Sequence, residues 1–300
     1  MSKIIVIGSS NTDMVIKSKK HPLPGETIMG GTFLMNPGGK GANQAVAAAR
    51  LGGNVTFVTK TGNDMFGEEA RCHFTKEGID ARYIVKDPNN PSGVALIIVD
   101  EYGENAIVVA PGSNGTLSAY DINEEAFGTD PADIILLQLE IPISTVEFVA
   151  EKYAEKGNRV ILNPAPARNL SDLLLECLYL ITPNEIEAES ITGINVTDEA
   201  SAEQAAKELH ERGVKNVVIT LGATGAYLYS DTISKLITIV PVKAVDTTAA
   251  GDIFNGALAV AISEGKGLEE AVNFANKAAA ISVTRMGAQA SAPYRKEITD

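Results

Sequence analysis

From residue 133 onward, short apolar runs alternate with stretches of helical spacing. "DIILLQLE" is a continuous apolar run, the pattern of a strand buried on both faces. "ISTVEFVAEKYAEKG" follows with helical spacing and a glycine to stop it. Next come "RVILNPA", the helical "SDLLLECL", "YLITPNE", a helix through "EIEAESITG", an amphipathic helix over 199–212, and "NVVITLG". The early runs "KIIVIG" and "NVTFVTKTG" fit the same scheme. This alternation predicts an α/β fold: a Rossmann-like, mostly parallel sheet covered by helices on both faces.

Two stretches break the alternation. Residues 12–35 contain "DMVIKS" and "ETIMGGTFLM" around "HPLPGE", and residues 93–110 contain "GVALIIVD" and "AIVVA" around "EYGEN". Strands so spaced pair through hairpins. We expect one domain over 1–300, with a small inserted β-sheet lid formed by about 12–35 and 93–110. Such a sheet has edges to protect. Pairing with a second copy would do so, which predicts a homodimer through the lid. The alternative is a lid folded back on its own domain.

Composition narrows the partners. The chain has 300 residues, enough for one large domain or two small ones, and its 45% apolar content supports a sizeable core. A net charge of −13 argues against nucleic acid and anionic membrane surfaces. No apolar run approaches the ~20 residues of a membrane span. "MSKIIVIGSS" enters a strand without a signal-peptide pattern. Cys72 and Cys177 form no CxxC pair, which suits a reduced, cytoplasmic protein. His21, His73 and His210 show no metal-ligand spacing.

Candidate chemistry gathers at the strand ends. Glu140, Asn163, Asn184 and Thr220 each stand at or just after the carboxyl end of an apolar strand, where open α/β sheets bind ligands. "GSSNTD" places Asn11 and Asp13 where the first strand should end, either as sugar ligands or as an Asx turn. "NPGGKGANQAVAAARLG", residues 36–52, is a glycine-rich loop running into a helix from about residue 41. It is no P-loop, because Gly41 follows Lys40 and Leu34 stands at the first glycine position. It is no dinucleotide fingerprint, because Gln44 replaces the last glycine. Gly38 and Gly39 allow close backbone approach, and Lys40, Asn43 and Gln44 can bond hydroxyls; a tight turn capping a helix is the alternative.

Three further stretches are ambiguous alone. "TPNEIE" sets Asn184 and Glu187 on one face of a helix start, as a cap or as a water-mediated Mg²⁺ site. "TLGATGAYL" is a hairpin turn or a backbone phosphate cradle. In "AVDTTAAGD", small residues precede a buried-looking helix and end in Asp252. A helix N-terminus attracts both phosphate and acidic side chains, so Asp252 is either decoration or a proton acceptor beside a transferred phosphoryl group.

Taken in order, "GSSNTD", "PGGKGANQAVAAARLG", "LNPAPAR", "TPNE", "ITLG", "VDTTAAGDIFNGAL" and "TRMGAQAS" resemble the ribokinase/PfkB family of sugar and nucleoside kinases across essentially the whole chain. The resemblance implies ATP-dependent phosphorylation of D-ribose at its 5-hydroxyl. It implies Asp252 as catalytic base and the Ala249, Ala250 and Gly251 backbone as an anion hole. Asn11, Thr12, Asp13, Gly39, Lys40, Gly41, Ala42, Asn43 and Glu140 would hold the sugar, with Asp252. Asn184, Thr220, Leu221, Gly222, Ala223, Thr224, Gly225 and Asn276, with Gly251 and Asp252, would line the ATP site. Glu187 would place Mg²⁺ through water. K⁺ would sit near Asp246, with carbonyls of Thr248, Ser282, Arg285 and Gly287, and Ser291, completing its shell. The wider family's signature is often D-T-x-G-A-G-D, and Ala249 replaces its first internal glycine. Rivals are a kinase for 2-deoxyribose, fructose or adenosine, a dinucleotide oxidoreductase, and a non-catalytic sugar-binding regulator.

Overall fold

The computed structural model describes residues 2–126, 130 and 133–298. The chain opens with β1 (Lys3–Ile7), β2 (Asn11–Lys17), β3 (Thr32–Gly38), α1 (Lys40–Arg50), β4 (Asn54–Gly62), α2 (Met65–Lys76), β5 (Ile84–Asp87), β6 (Gly93–Val99) and β7 (Asn105–Ala110). It continues through β8 (Ile134–Leu137), α3 (Ile143–Glu155), β9 (Arg159–Leu162), α4 (Asp172–Glu176), β10 (Leu180–Ile181), α5 (Glu185–Thr192) and α6 (Glu199–Glu211). It closes with β11 (Asn216–Thr220), β12 (Gly225–Ser230), β13 (Ser234–Thr238), α7 (Ala250–Ser263) and α8 (Leu268–Ser282).

Among the described residues the main sheet runs β13-β12-β11-β10-β9-β8-β1-β4-β5. It is parallel from β5 to β11, with β12 and β13 antiparallel at one edge. Alternation within the strands divides the core. Ile4 and Val6 join the α1, α7 and α8 side, while Ile5 and Ile7 join the α3 and α6 side. That is why the strands read as unbroken apolar runs. Chain order reverses between β1 and β8, which puts the sheet's crevice at their carboxyl ends.

The second sheet runs β3-β2-β6-β7. It contains the two expected hairpins, β2 with β3 and β6 with β7, but a parallel pairing of β2 with β6 joins them. The expected strand over "ETIMGG" is absent: pairing begins at Thr32, after Gly30 and Gly31 at positive φ. Asn11 and Asp13 also differ from expectation. They do not end β1, nor do they form an Asx turn, but start the small sheet. The "TLGATGAYL" stretch is the β11–β12 hairpin, with a 3₁₀ turn at Gly222–Thr224. No helix among the described residues is long and apolar enough to cross a membrane.

Candidate active site

The start of α1 lies against the end of β1. A Cβ on Gly41 would meet the Gly8 backbone at 2.7 Å, and Ala42 N–H donates to the Ser9 carbonyl at 2.9 Å. This contact aims the α1 N-terminus at the start of α7. Asn43 Nδ2 donates to Asp252 Oδ2 at 2.9 Å, and Gln44 Nε2 donates to Asp252 Oδ1 at 3.0 Å. Each carboxylate oxygen of Asp252 thus accepts from one amide of α1. Gln44, expected among the hydroxyl ligands, is fully buried and its amide is committed to protein partners.

Charged groups crowd this point. Burial pushes the Asp252 carboxyl above its ordinary range, opposed by Lys40 and by the Asn43 and Gln44 hydrogen bonds. The field of Asp252, then of Glu140 and Glu187, raises Lys40 against the opposing effect of burial and keeps it cationic. Its ammonium makes no hydrogen bond or ion pair with a described residue, while its N–H donates to Glu140 Oε2 at 2.9 Å. Ser9 Oγ donates to the same Glu140 oxygen. Asp13 is raised to about 6 by burial and by Glu140 and Asp252. Gly38 pairs across the strands and makes room for it, since a Cβ there would lie 2.2 Å from Asp13 Oδ2. Asn114, which carries no sequence signal, fixes the root of the small sheet: it bonds Ser10 N–H and carbonyl, and its Nδ2 donates to Asn11 Oδ1 at 2.7 Å.

Two cavities meet at the α7 start. A polar one of about 180 Å³ is bounded by Lys40, Asn163, Thr182, Glu187, Asp252 and Asn255. A largely apolar one of about 320 Å³ is bounded by the β11–β12 turn, residues 239–242 and the face of α8 around Asn276. Asn184, Thr220, Thr247, Ala250 and Gly251 belong to both. Gly222, Ala223, Gly225 and Asn276 line the larger cavity as expected, whereas Leu221 and Thr224 do not. Val240, Val242, Phe254 and Val283 also line it, and sequence reasoning missed them because apolar residues there look like ordinary core. The helix-cap reading of "TPNE" holds for Asn184 and Glu187. They form a reciprocal helix cap at 2.8 and 2.9 Å, and both line the polar cavity. Burial pushes Glu187 upward, so a cation beside it would be favoured.

Asp246 ties the segment before α7 to the one after α8. Its oxygens accept from Thr248 N–H at 2.9 Å and Gly287 N–H at 2.8 Å, and Val245 N–H donates to the Val283 carbonyl at 2.7 Å. Burial alone would raise Asp246, but the Thr248 hydroxyl, followed by the Gly287 and Thr248 amides, outweighs it and holds the carboxyl below its usual range. Thr248 and Gly287 are thereby brought to one carboxylate, with Ser282 and Arg285 on the same return segment.

The family model for pfkB family carbohydrate kinases matches residues 1–295. The chain belongs to the pfkB family of carbohydrate kinases. It is 46% identical to a ribokinase of Haemophilus influenzae over 98% of this chain and 96% of that one. Its fold matches a ribokinase structure from Thermotoga maritima with a TM-score of 0.88 at 42% identity, covering 99% and 98% of the two chains. It also matches the Arabidopsis thaliana ribokinase complexed with ribose and ATP, with a TM-score of 0.90 at 34% identity over 99% and 97%.

The pfkB signature gains a physical reading at its departure. Ala249 adopts φ 59° and ψ 14°, the left-handed region, at the position where the wider family often has glycine. The turn it makes is tight: Ala250 N–H donates to the Thr247 carbonyl at 3.2 Å. That amide of the expected anion hole is therefore occupied. The next two, Gly251 and Asp252, find no acceptor among the described residues.

Two predictions follow from this geometry. Ala249→Gly removes a left-handed cost of about 1–2 kcal/mol but adds about 0.4–1 kcal/mol of unfolded-chain entropy, so urea unfolding should show a net gain of about 0–1.6 kcal/mol. Asp13 binds its proton more tightly folded than unfolded, so its ionisation opposes folding. The penalty is absent below the ordinary 3.8, grows as pH rises, and levels off above about 6. Asp13→Asn should therefore stabilise the protein at pH 8, by on the order of 2 kcal/mol, and not at pH 4. Paired denaturant titrations at the two pH values check this.

Proposed function

We propose that the chain transfers the γ-phosphoryl group of ATP to the 5-hydroxyl of D-ribose, giving D-ribose 5-phosphate and ADP. The observation that carries this reading is the buried Asp252 carboxylate, held by two amides beside unoccupied amides at a helix start where a polar and an apolar cavity meet. Full-length similarity to ribokinases supports ribose as the acceptor.

The roles follow from chemistry. The larger cavity suits the nucleoside, with its phosphates directed to the α7 N-terminus, whose N–H groups and partial positive charge favour anions. Asn11, Asp13, Gly39, Asn43 and Glu140 would hold the sugar hydroxyls, with Thr12, Gly41 and Ala42 as sequence neighbours. The sugar oxygen bonds to the γ-phosphorus while the bond to the ADP oxygen breaks, and ADP keeps that electron pair. Asp252 accepts the hydroxyl proton, and its raised affinity for protons suits it to the task. The Gly251 and Asp252 amides face the charge that spreads over the phosphoryl oxygens. Lys40 adds a fixed positive charge beside them. Closure of the lid would exclude water from the transfer.

Glu187 would hold Mg²⁺ through water, and Asp246 with the carbonyls of Thr248, Ser282, Arg285 and Gly287, and Ser291, would hold K⁺. These ions supply charge neutralisation near the phosphates and support for the anion-hole turn. The free thiols Cys72 and Cys177 suit a reducing, cytoplasmic setting. Phe33, Met35, Leu96 and Val108 stand exposed on the small sheet, which supports a homodimer through the lids. Sedimentation velocity should give the mass of two chains, and a single-chain mass at micromolar concentration would remove that part of the reading.

ADP release from ATP with Mg²⁺ and K⁺ should be fastest with D-ribose among ribose, 2-deoxyribose, fructose and adenosine. Preference for another acceptor would keep the mechanism and change the substrate. Asp252→Asn should lower kcat by at least about a hundredfold, the scale of a lost general base, while calorimetry still detects ribose binding. Near-normal turnover in that variant would remove Asp252 from the role.

A further inference from the structure

Gln44 is more than a donor to Asp252. Its Nε2 donates to Asp252 Oδ1 and to Asn163 Oδ1, each at 3.0 Å, and its Oε1 accepts from Gln138 Nε2 at 2.6 Å. Both N–H groups and the oxygen of this buried amide have partners, and an ionised carboxylate, which only accepts, dictates which way it points. Gly256 makes the contact possible. A Cβ there would lie 2.7 Å from the Gln44 carbonyl and 2.8 Å from Ala47 Cβ, so only glycine lets α7 approach α1 this closely.

The bonds continue beyond Asn163. Its Nδ2 donates to the Thr182 carbonyl at 3.2 Å, Thr182 Oγ1 donates to Asn255 Oδ1 at 2.6 Å, and Asn255 Nδ2 donates to the Gly251 carbonyl at 2.8 Å. Gly251 is joined to Asp252, so the chain of bonds closes into a ring. One end holds the carboxylate, and the other holds the carbonyl of the Gly251–Asp252 peptide. A peptide is planar, with its C=O and N–H opposed, so anchoring that carbonyl aims the Asp252 N–H.

We propose that Gln44, Asn163, Thr182 and Asn255 are positioning residues that lock the Asp252 carboxylate and the Gly251–Asp252 amide into one rigid unit. This keeps the proton acceptor and the phosphoryl-facing N–H at a fixed separation during transfer. The inference rests on the reading of Asp252 as proton acceptor. It goes beyond that reading by assigning a positioning role to four residues, of which Asn163, Thr182 and Asn255 also bound the polar cavity.

The test is kinetic and uses the full chain. Gln44→Met keeps the shape and removes the amide. Thr182→Val removes only the hydroxyl, and Thr182→Ser restores it. Each is made alone and with Asp252→Asn. Misplacement by about 1 Å can cost on the order of a hundredfold, so Gln44→Met and Thr182→Val should lower kcat by about 10- to 100-fold. The KM values for ribose and ATP should stay within about threefold, because uniform binding is untouched. Thr182→Ser should recover most of the loss. In the Asp252→Asn background both losses should shrink, leaving only what the residue-252 amide contributes. Equal losses in both backgrounds, or full kcat with only a lowered Tm, would assign these residues to stability and overturn the proposal while leaving Asp252 in place. Full turnover in Asp252→Asn alone would overturn both. If Gln44→Met does not fold, the Thr182 pair decides.

Discussion

A carboxylate buried between two helix N-termini is the constraint on which the site depends. Burying Asp252 opposes its ionisation, and α1 supplies the answer with two amide donors and the nearby Lys40 ammonium. This requires α1 and α7 to meet at their first turns. Gly41 lets α1 lie on the end of β1, and Gly256 lets α7 lie on α1. The tightly packed alanines of both helices serve the same end, since larger side chains would hold the axes apart. The glycine- and alanine-rich character of these segments is therefore a geometric requirement of one charged group.

The charge pattern around that group is unbalanced. Glu140, Glu187 and Asp252 act on Lys40, Asp13 feels Glu140 and Asp252, and burial raises Asp13, Glu187 and Asp252 above their ordinary values. Such crowding opposes folding and favours whatever brings donors or cations. Sugar hydroxyls would donate to Asp13 and Glu140, and a divalent ion would relieve Glu187. The site is thus built at some cost to stability, and ligands offset that cost. Asn11 and Asp13 belong to the first strand of the small sheet, and Asn114 anchors that strand's root.

Much of this was legible along the chain. The unbroken apolar strands of the main sheet, the helices between them and the polar residues at the strand ends follow from burial on two faces. Asp252, Asn43 and Lys40 stood out because glycine-rich turns and helix starts mark them locally, and Glu140 because it follows an apolar strand. Other features were not. The parallel pairing of β2 with β6 joins segments about eighty residues apart, and nothing in either strand specifies that partner. Gln44 read as a possible ligand because its sequence neighbours are ligand-like, yet it faces Asn163 and Gln138 from other strands. Asn114 lies in a short 3₁₀ turn without any motif.

The sequence by itself determined the elements, their layering and the residue types able to hold a sugar phosphate reaction, because hydrophobic period and turn chemistry are local properties. Only the tertiary structure decided which polar side chains face ligand and which face one another. Gln44, Asn163, Thr182 and Asn255 come from four separate elements and become one hydrogen-bonded ring only when the sheet closes. The physical reason is that a buried polar group must find its partners in space, and no spacing along the chain records where those partners lie.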